Sequence, residues 1–463
     1  MKITKVAAII VTWNKRKDVC AVIKDIESLD LQNISLDIFV VDNASQDGTQ
    51  NYLELHYPHI KVLQTGKNLG GSGGFSQGMN FVSNLDYQYI WLLDNDVRLD
   101  PYALVPLVET LNRYAEVGLV GSQIRKLDNP DIIQEIGSYI HEPKAHLQTY
   151  LGNSPVQSPA EILNSKNYLT VDICAAASLL FRREIIHQIG VFENYFLHFD
   201  DVEWCLRAKQ FGWVIAAHPA SIIWHCSPDF KQRPWISYYD ERNLLYCWHK
   251  HRPDLLLRRL RILFPKLVYY SLTGRHFWAL IHLQAMTDFL NLIQGEMPNL
   301  LSSFTLGEIL PHNGQVLIQD SIYQHICDFL DVKQEQKFTL WYPPNKYNKL
   351  WAWVYLSFIS CFSKPVDLAI VSYWNPNFYY LFLSKQLYFF TGNGYVKSQI
   401  SFTQIILDSL GVVYGFLKIY LRMTHLLKKS DKSFNKLVIS NLLHPFWVNK
   451  VKKLLLIIST IYS

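Results

Sequence analysis

The sequence has few cysteines, and none of them are paired at the spacing of a metal site. The seven cysteines are an odd number and include no C-x-x-C, which argues against a disulfide framework and a structural zinc site. Charged residues make up only 18% of the 463 residues, and apolar residues make up 49%. This composition excludes a disordered or low-complexity chain and supplies a sizeable core for two or three domains.

Long hydrophobic runs are also absent. The longest uncharged, mostly apolar stretch, at 350–363, has 14 residues, fewer than the roughly 20 needed to cross a bilayer. We expect it to form a buried helix. The start of the chain, MKITKVAAIIVTWNK, lacks the small-residue cleavage site of a signal peptide and leads into a strand pattern, so we expect a reducing, cytosolic environment.

Apolar runs alternate with helix-like stretches in the first part of the chain. The runs VAAIIVTWN, LDIFVVD, IKVLQT and YIWLLDNDV predict strands. KRKDVCAVIKDIESL predicts a helix after the first run, and a second helix is predicted at 77–85, after a glycine-rich loop. This alternation predicts a doubly wound α/β domain, in which ligands bind beyond the carboxyl ends of the strands.

Later segments predict a different organisation. Residues 144–167 predict an irregular loop, VDICAAASLLF predicts a strand, and helices are expected from about Arg182 and Asp201, the second ending at Gly212. A long helical region and three strand-like runs (GQVLIQD, KFTLWYP, VDLAIVSYW) follow. We therefore expect an α/β domain at 1–255, a helical and then small α/β region at 256–414, and a tail at 415–463.

Positive charge is concentrated in that tail. It has nine Lys or Arg and one Asp, with leucines and isoleucines at helical spacing. A basic amphipathic helix of this kind docks on an anionic membrane surface. A solvated helix face or a nucleic-acid patch is the alternative, but no nucleic-acid-binding motif accompanies it. The charge asymmetry favours the membrane.

Two carboxylates follow one predicted strand. Asp94 and Asp96 stand at the end of YIWLLDNDV, and carboxylate oxygens suit Mg²⁺ or Mn²⁺ that also binds substrate phosphates. A turn with solvated acids is the alternative. The preceding KNLGGSGGFSQGMN, at 67–80, lacks the last glycine of the dinucleotide fingerprint. It is consistent with a backbone cradle for a phosphate or sugar hydroxyl and equally with a flexible turn.

A second acidic group opens a predicted helix. Asp200, Asp201 and Glu203 stand where the helix dipole stabilises negative charge, so they either cap the helix or supply a general base. His225 ends the apolar run IIWH. A lone histidine in such a place is more often structural than catalytic.

In their order along the chain, these motifs resemble those of a known family. VTWN, VVDNASQDGT, NLGG with GMN, DND, FRRE, FDDVEW and IIWH span about the first 250 residues. They are similar to the inverting glycosyltransferases of family two, which have the GT-A fold. NLGGSGGFSQGM with FDDVEW and WH is most similar to bacterial galactofuranosyltransferases, and the rhamnosyltransferase branch is close behind. The resemblance implies a GT-A domain with a Rossmann-like mixed sheet.

The resemblance also implies roles for individual residues. Asp94 and Asp96 would bind a divalent cation, Mn²⁺ or Mg²⁺, and His225 would complete the metal site. Asp201 would be the catalytic base, with Asp200 beside it in the acceptor site. The nucleotide-sugar donor would contact Thr12, Asn14, Asp42, Asn68, Gly70, Gly71, Asp94, Arg242 and Asn243, the last two at its diphosphate. Asn95 stands where relatives of the galactofuranosyl type often carry an acid.

The implied function is metal-dependent, inverting transfer of a sugar to a glycan. The first hypothesis is galactofuranose from UDP-galactofuranose, passed to a bacterial surface polysaccharide such as an O-antigen or capsule, or to a lipid-linked saccharide. A rhamnosyltransferase using dTDP-rhamnose is the alternative within the class. A non-catalytic glycan-binding or scaffold subunit is the alternative from another class. We expect a cytoplasmic protein held by its tail at the inner face of the cytoplasmic membrane, and the sequence leaves its oligomeric state open.

Overall fold

The structure is a computed structural model that describes residues 3–163, 166–226, 234–272, 275–297, 314–318, 338–341, 366–372, 384–390, 395–397 and 402–430. The chain divides into two compact units: 1–231 with 239–259 and 292–296, and 232–238 with 260–291 and 297–463. The helix predicted at 350–363 and the tail beyond 430 lie outside the described residues. The domain boundaries expected at 255 and 414 stay predictions, although a described helix runs across position 414.

Strands and helices alternate from the first to the fourth strand of the first unit, as predicted for the first part of the chain. The strands are β1 (Thr4–Thr12), β2 (Ile34–Asp42), β3 (Lys61–Gln64), β4 (Tyr89–Asp94), β5 (Val97–Leu99), β6 (Val117–Lys126), β7 (Ile132–Glu135), β8 (Ser138–His141), β9 (His146–Thr149), β10 (Ser154–Pro155), β11 (Leu169–Val171), β12 (Ser178–Arg182) and β13 (Val214–His225). The helices are α1 (Arg16–Glu27), α2 (Thr49–His56), α3 (Gly70–Ser83), α4 (Val105–Arg113), α5 (Pro159–Ile162), α6 (Glu184–Ile189) and α7 (Asp200–Gln210). Helices α8 (Pro234–His251) and α9 (Pro253–Leu272) follow.

One mixed sheet organises this unit. Its order is β10-β7-β6-β12-β4-β1-β2-β3, and β13 pairs with β6, β5 and β11. Strands β1 to β4 are parallel, whereas β12 runs antiparallel between β4 and β6. The predicted doubly wound, Rossmann-like mixed sheet is confirmed. The segment 144–167, predicted to be irregular, contains only short elements.

Strand β1 is apolar along its length because helices cover both of its faces. Ala8 and Ile10 belong to a core cluster with Val19 and Val22 of α1. Ile9 and Val11, which point to the other face of the sheet, lie against the glycines of α3. Alternate residues of one strand therefore bury themselves under different helices, and this explains the run VAAIIVT.

The glycine-rich stretch is part of a helix, so the prediction of a loop followed by a helix from residue 77 was wrong. Helix α3 begins at Gly70. A Cβ atom on Gly74 would lie 2.4 Å from Val11 Cγ1, and one on Gly78 would lie 2.6 Å from Ile9 Cγ2. The glycines let the helix backbone approach the sheet more closely than any side chain allows, and tertiary packing compensates for their low helix propensity.

The strand predicted from VDICAAASLLF is also shorter than expected. Val171 ends β11 and Ser178 begins β12, so residues 172–177 form no named strand. Helices near Arg182 and Asp201 are confirmed by α6 and α7. Gly212 follows α7 with φ +91°, a conformation that favours glycine and ends the helix as predicted.

The second unit contains a five-stranded sheet. Its strands are β14 (Gly314–Ile318), β15 (Phe338–Trp341), β16 (Val366–Ser372), β17 (Ser384–Phe390) and β18 (Tyr395–Lys397). Their order is β15-β14-β16-β17-β18, parallel except for β18, and such an order is typical of doubly wound folds. The three strands predicted from GQVLIQD, KFTLWYP and VDLAIVSYW are confirmed.

Helices α10 (His276–Leu290) and α11 (Phe402–Ser430) also belong to the second unit. The apolar face of α11 is buried, and its buried side chains are Val412, Phe416, Ile419, Met423 and Leu427. Lys418, Arg422 and His425 lie on the exposed face. Up to residue 427 the apolar face of this helix therefore packs within the protein, and its exposed face is basic. None of the helices in the described ranges combines the length and hydrophobicity of a membrane span.

We expect Gly78→Ala to destabilise the first unit by about 1–3 kcal/mol, because the added Cβ overlaps Ile9 and also lies 3.0 Å from Val41 Cγ2. Gly71→Ala in the same helix is the matched control, since its Cβ would meet only Leu197 Cδ1, at 4.0 Å. Denaturant unfolding followed by tryptophan fluorescence compares the two. Equal stability of the two variants would contradict the close-packing explanation.

Candidate active site

The carboxyl ends of three parallel strands meet at one edge of the first sheet. Thr12 of β1 pairs with Asp42 of β2, and Val11 pairs with Asp94 of β4. Thr12 and Asp42 therefore stand at the same level of neighbouring strands, and Asp94 stands one residue back on the other side of β1. This is the edge at which doubly wound α/β folds bind ligands.

Asp94, Asp96 and His225 converge at this edge. After β4 ends at Asp94, β5 begins at Val97 and pairs with β13, so that Val97 lies opposite His225. His225 Nε2 lies 3.1 Å from Asp96 Oδ1 and 4.0 Å from Asp94 Oδ2. One potential ligand atom from each of the three half-buried residues lies within 4.8 Å of the others. No other group of this kind occurs among the described residues.

This donor set fits a divalent cation of the Mg²⁺ or Mn²⁺ type. Two carboxylates and one imidazole leave further coordination positions for water and phosphate oxygens. Gln134 Nε2 lies 3.4 Å from His225 Nδ1, so the Gln134 side chain contacts the ring nitrogen that does not face the two carboxylates. The structural interpretation of His225 as a lone histidine is therefore set aside.

Asn95 has a structural partner of its own. Its Nδ2 donates a hydrogen bond to Thr12 Oγ1 over 2.9 Å. The bond ties the Asp-x-Asp turn to the end of β1. An acid at this position is not needed for that contact, because the amide supplies the donor.

Asp42 and Asn14 shape the loops next to the cluster. Asp42 is buried and accepts hydrogen bonds from the Ser45 amide (3.0 Å) and from Gln64 Nε2 (3.1 Å). Asn14 has a left-handed backbone (φ 51°) and accepts a bond from the Gln46 amide over 2.6 Å. Both residues thus stand beside the expected donor pocket, and their role in contacting the nucleotide stays a prediction.

The beginning of α3 contacts the protein backbone. Asn68 Oδ1 accepts a bond from the Gly70 amide over 2.9 Å, and the Ser72 amide donates to the Phe196 carbonyl over 3.3 Å. Gly70 has φ +70°, and a Cβ atom on it would lie 2.0 Å from that same carbonyl oxygen. The requirement for glycine at position 70 therefore comes from a close backbone approach to the segment before α7. Donor contacts by Asn68, Gly70 and Gly71 stay predictions.

Asp200 and Asp201 form the first turn of α7. Asp201 accepts hydrogen bonds from the Ala176 amide (3.0 Å) and from its neighbour Val202 (2.7 Å). The Asp94 amide donates to the Ala177 carbonyl over 3.4 Å. Two consecutive residues, 176 and 177, therefore connect the candidate base to the strand that carries the cation ligands.

Burial raises the pKa of both members of this pair. For Asp200 burial is the main cause and the charge of Asp201 adds to it, raising the pKa to about 7. For Asp201 burial raises the pKa and the hydrogen bonds from the Ala176 and Val202 amides oppose it. A carboxyl group with a raised pKa is suited to exchange protons with a hydroxyl group near neutral pH.

Glu203 has a different role from its two neighbours. It is fully buried and pairs with Arg207 (2.6 Å), Lys250 (2.7 Å) and His251 (3.0 Å). Burial raises the pKa of Glu203, but the hydrogen bond from His251 and the charges of Arg207 and Lys250 outweigh it and lower the pKa to about 2. Glu203 is thus a permanently charged residue that anchors α7 to the end of α8.

Glu135 is a site residue that the sequence did not reveal. It ends β7, one residue after Gln134. Burial raises the pKa of Glu135 to about 7, with the charge of Asp201 acting in the same direction and that of His225 opposing it. Glu135 therefore lies within electrostatic reach of both the cation ligands and the candidate base. Only the pairing of β7 with β6 brings it there, and IIQE carries no motif that would have indicated it.

Arg242 and Asn243 hold the segment that precedes α7. Both are fully buried. Arg242 donates to the carbonyls of Tyr195 and Gly295, each over 2.9 Å. Asn243 Nδ2 lies 2.8–3.2 Å from the carbonyls of Tyr195, Leu197 and His198. The structure therefore engages these side chains with main-chain carbonyls, and their expected contact with a diphosphate stays a prediction.

The family model of glycosyl transferase family 2 matches residues 7–190. This range contains β1, the Asp-x-Asp turn and the strands that align them. The match covers less than half of the chain, and within it the sequence is similar to that family. The matched range ends before α7 and His225, whose places in the site follow from the geometry described above.

Several proteins resemble this part of the chain. The galactofuranosyltransferase GlfT2 of Mycobacterium tuberculosis is 27% identical over 199 residues, 40% of this chain and 31% of that protein. The N-acetylglucosaminyl-diphospho-decaprenol L-rhamnosyltransferase of the same species is 25% identical over 204 residues, 41% of this chain and 66% of that protein. The match to GlfT2 thus spans less than a third of the length of that relative. The structure of S. aureus TarS 1-349 with UDP-GlcNAc has a TM-score of 0.43 at 13% identity and covers 62% of this chain and 81% of that one.

Removing one ligand from the Asp94–Asp96–His225 group weakens cation binding. We expect Asp96→Asn and His225→Ala to lower the affinity for Mn²⁺ at least about tenfold, as measured by the electron paramagnetic resonance of free Mn²⁺. Asp128→Asn, at an exposed aspartate, is the control and should bind like the wild type. Wild-type affinity in the Asp96 variant would show that the group is not the cation site.

Proposed function

We propose that this protein is an inverting glycosyltransferase that moves a sugar from a nucleotide diphosphate to a glycan with the help of a divalent cation. The observation that carries the proposal is the convergence described above. Asp94, Asp96 and His225 lie close enough to share an ion, and Asp201 is connected to β4 through residues 176–177. The match of residues 7–190 to the family 2 model supports the transfer of a sugar.

The chemistry follows from this arrangement. A cation bound by Asp94, Asp96 and His225 would neutralise the diphosphate leaving group. The acceptor oxygen forms a bond to the anomeric carbon as the bond from that carbon to the diphosphate oxygen breaks, and the electron pair leaves with the diphosphate. Asp201 receives the proton of the acceptor hydroxyl. Attack from the face opposite the leaving group inverts the anomeric configuration.

Galactofuranose from UDP-galactofuranose is the proposed donor. The similarity to a galactofuranosyltransferase supports this choice, and the similarity to a rhamnosyltransferase supports dTDP-rhamnose as the second candidate. The proposed acceptor is a bacterial surface polysaccharide or a lipid-linked saccharide. For the basic tail we retain the proposal of a peripheral position at the cytoplasmic membrane. Within 402–427 the exposed Lys418, Arg422 and His425 would provide an electrostatic contact.

A non-catalytic glycan-binding role is the rival proposal from another class. The presence of two carboxylates and an imidazole at the cation cluster, with a carboxylate pair of raised pKa beside it, argues for catalysis. Calorimetric titration with UDP in the presence and absence of Mn²⁺ separates the two roles. A binding subunit with a decayed site would show no metal-dependent affinity for UDP.

Asp201→Asn removes the proton acceptor and keeps the shape of the side chain. We expect transfer to fall about 10²- to 10⁴-fold, while UDP binds in the presence of Mn²⁺ as tightly as it does to the wild type. Sugar transfer is followed by mass spectrometry and UDP binding by calorimetry. Asp30→Asn, at an exposed aspartate on the protein surface, is the control. Normal turnover by the Asp201 variant would assign the base to another residue.

The purified protein should hydrolyse its own donor slowly without any acceptor. We expect release of UDP from UDP-galactofuranose to exceed release of dTDP from dTDP-rhamnose, because the proposed donor should fit the site better than the alternative donor. Chromatographic quantification of both nucleotides measures the ratio. A ratio in favour of dTDP would make the protein a rhamnosyltransferase.

A further inference from the structure

The segment that leads into α7 has an unusual backbone. Phe196, His198 and Phe199 all have left-handed conformations, with φ of 68°, 60° and 65°, and none of them is glycine. Such residues persist only where their surroundings hold them, and they cluster at functional sites. These strained residues immediately precede the carboxylate pair Asp200 and Asp201. Their backbone conformation therefore sets the positions of the residues next to the pair.

Helix α8 holds this segment from one side. The amide of Asn243 bonds the Leu197 and His198 carbonyls, and the ring of Tyr239 stacks on Phe196 at 5.5 Å between centroids with 19° between planes. The Ser72 amide of α3 bonds the Phe196 carbonyl. These contacts fix the backbone at His198 and therefore the direction in which its side chain projects.

That side chain meets a carboxylate from α8. His198 Nδ1 lies 2.7 Å from Asp240 Oδ1, and 44% of the histidine side chain is exposed. Desolvation by the surrounding protein lowers the pKa of His198, but the carboxylates of Asp240, Asp200 and Asp201 outweigh it and raise the pKa above its ordinary value. The 2.7 Å contact with Asp240 and the raised pKa both favour the imidazolium form of His198.

Charges from several elements act on the carboxylate pair. His198 favours the ionised form of both Asp200 and Asp201. The carboxylate of Glu135 on β7 opposes ionisation of Asp201. On α8, the carboxylate of Asp240 contacts the imidazole of His198. Burial also opposes ionisation of the pair, so the imidazolium acts against both burial and the neighbouring acid.

We propose that His198, clamped by Asp240, is a positioning residue whose positive charge keeps the Asp200–Asp201 pair ready to accept a proton. The proposal rests on the proposed function of Asp201 as the base. It gives α8 a role in the reaction: Asp240 orients the imidazolium, and Arg242 and Asn243 hold the strained backbone that carries it.

The first test is the pH profile of kcat/KM for sugar transfer. His198→Gln removes the charge, which raises the pKa of the base. Because the base acts only when it is deprotonated, we expect the acid limb of the profile to move to higher pH by about one unit, with little change above it. His198→Lys keeps a positive charge and should restore the limb. His187→Gln, at an exposed histidine of α6, should leave the profile unchanged.

The outcomes of that test are distinct. A purely structural role predicts a uniform loss across the whole pH range in both His198 variants, with no shift of the limb. That result would overturn the proposal. Circular dichroism and thermal unfolding of each variant show whether the fold is retained, and the lysine variant provides the comparison if the glutamine variant unfolds.

The second test needs no enzymatic activity. Nuclear magnetic resonance of histidine-labelled protein follows the titration of each imidazole, with His198→Lys used to assign the resonance. We expect His198 to titrate above the ordinary value of about 6.5, and to titrate lower in Asp240→Asn and in Asp201→Asn. If the pKa of His198 were ordinary and did not change in Asp201→Asn, the coupling would be refuted. If the coupling is found in a protein that transfers no sugar, the proposed function fails while the electrostatic link stands.

Discussion

The parallel pairing of β1 with β2 and β4 places Thr12, Asp42 and Asp94 side by side at one edge of the sheet. Because β1 is buried on both faces, its register is strongly specified: a slip of one residue would exchange the side chains that face α1 with those that face α3. The position of the Asp-x-Asp turn follows from this register. The position of His225 follows in turn, because β5 continues from that turn and pairs with β13.

Close backbone contacts connect this edge to the candidate base. The glycines of α3 allow the helix to lie directly on β1, and Gly70 allows its first turn to touch the Phe196 carbonyl. Residues 176–177 bond to both Asp94 and Asp201. The two halves of the site are therefore joined through the main chain of residues 176–177. Such joints suit a site whose parts must keep a fixed separation during the reaction.

Neighbouring acids in one short motif have opposite electrostatic environments. Asp201 lies in a buried pair where proton binding is favoured, whereas Glu203, two residues later, is paired with Arg207, Lys250 and His251 and stays ionised. The sequence left open whether the acids of FDDVEW are structural or supply a general base, and the environments of these acids fit both roles. Asp200 and Asp201 are suited to proton exchange, and Glu203 is a structural anchor. The partners of each side chain, contributed by distant parts of the chain, separate the two roles.

The sequence by itself determined the four parallel strands β1 to β4, the polar residues at their carboxyl ends and the order of the motifs. Burial on both faces leaves a continuous apolar run that ends where the strand ends. Through the resemblance it also indicated Asp94, Asp96 and His225 as the expected cation ligands, and the structure brings these three side chains together. The tertiary structure alone decided three other features. The glycine-rich stretch is helical, Glu135 lies near the site, and Arg242 and Asn243 bind main-chain carbonyls. Each depends on contacts between distant segments, such as β7 with β6 and α8 with the loop before α7. A local sequence pattern does not indicate which distant residue a side chain will contact.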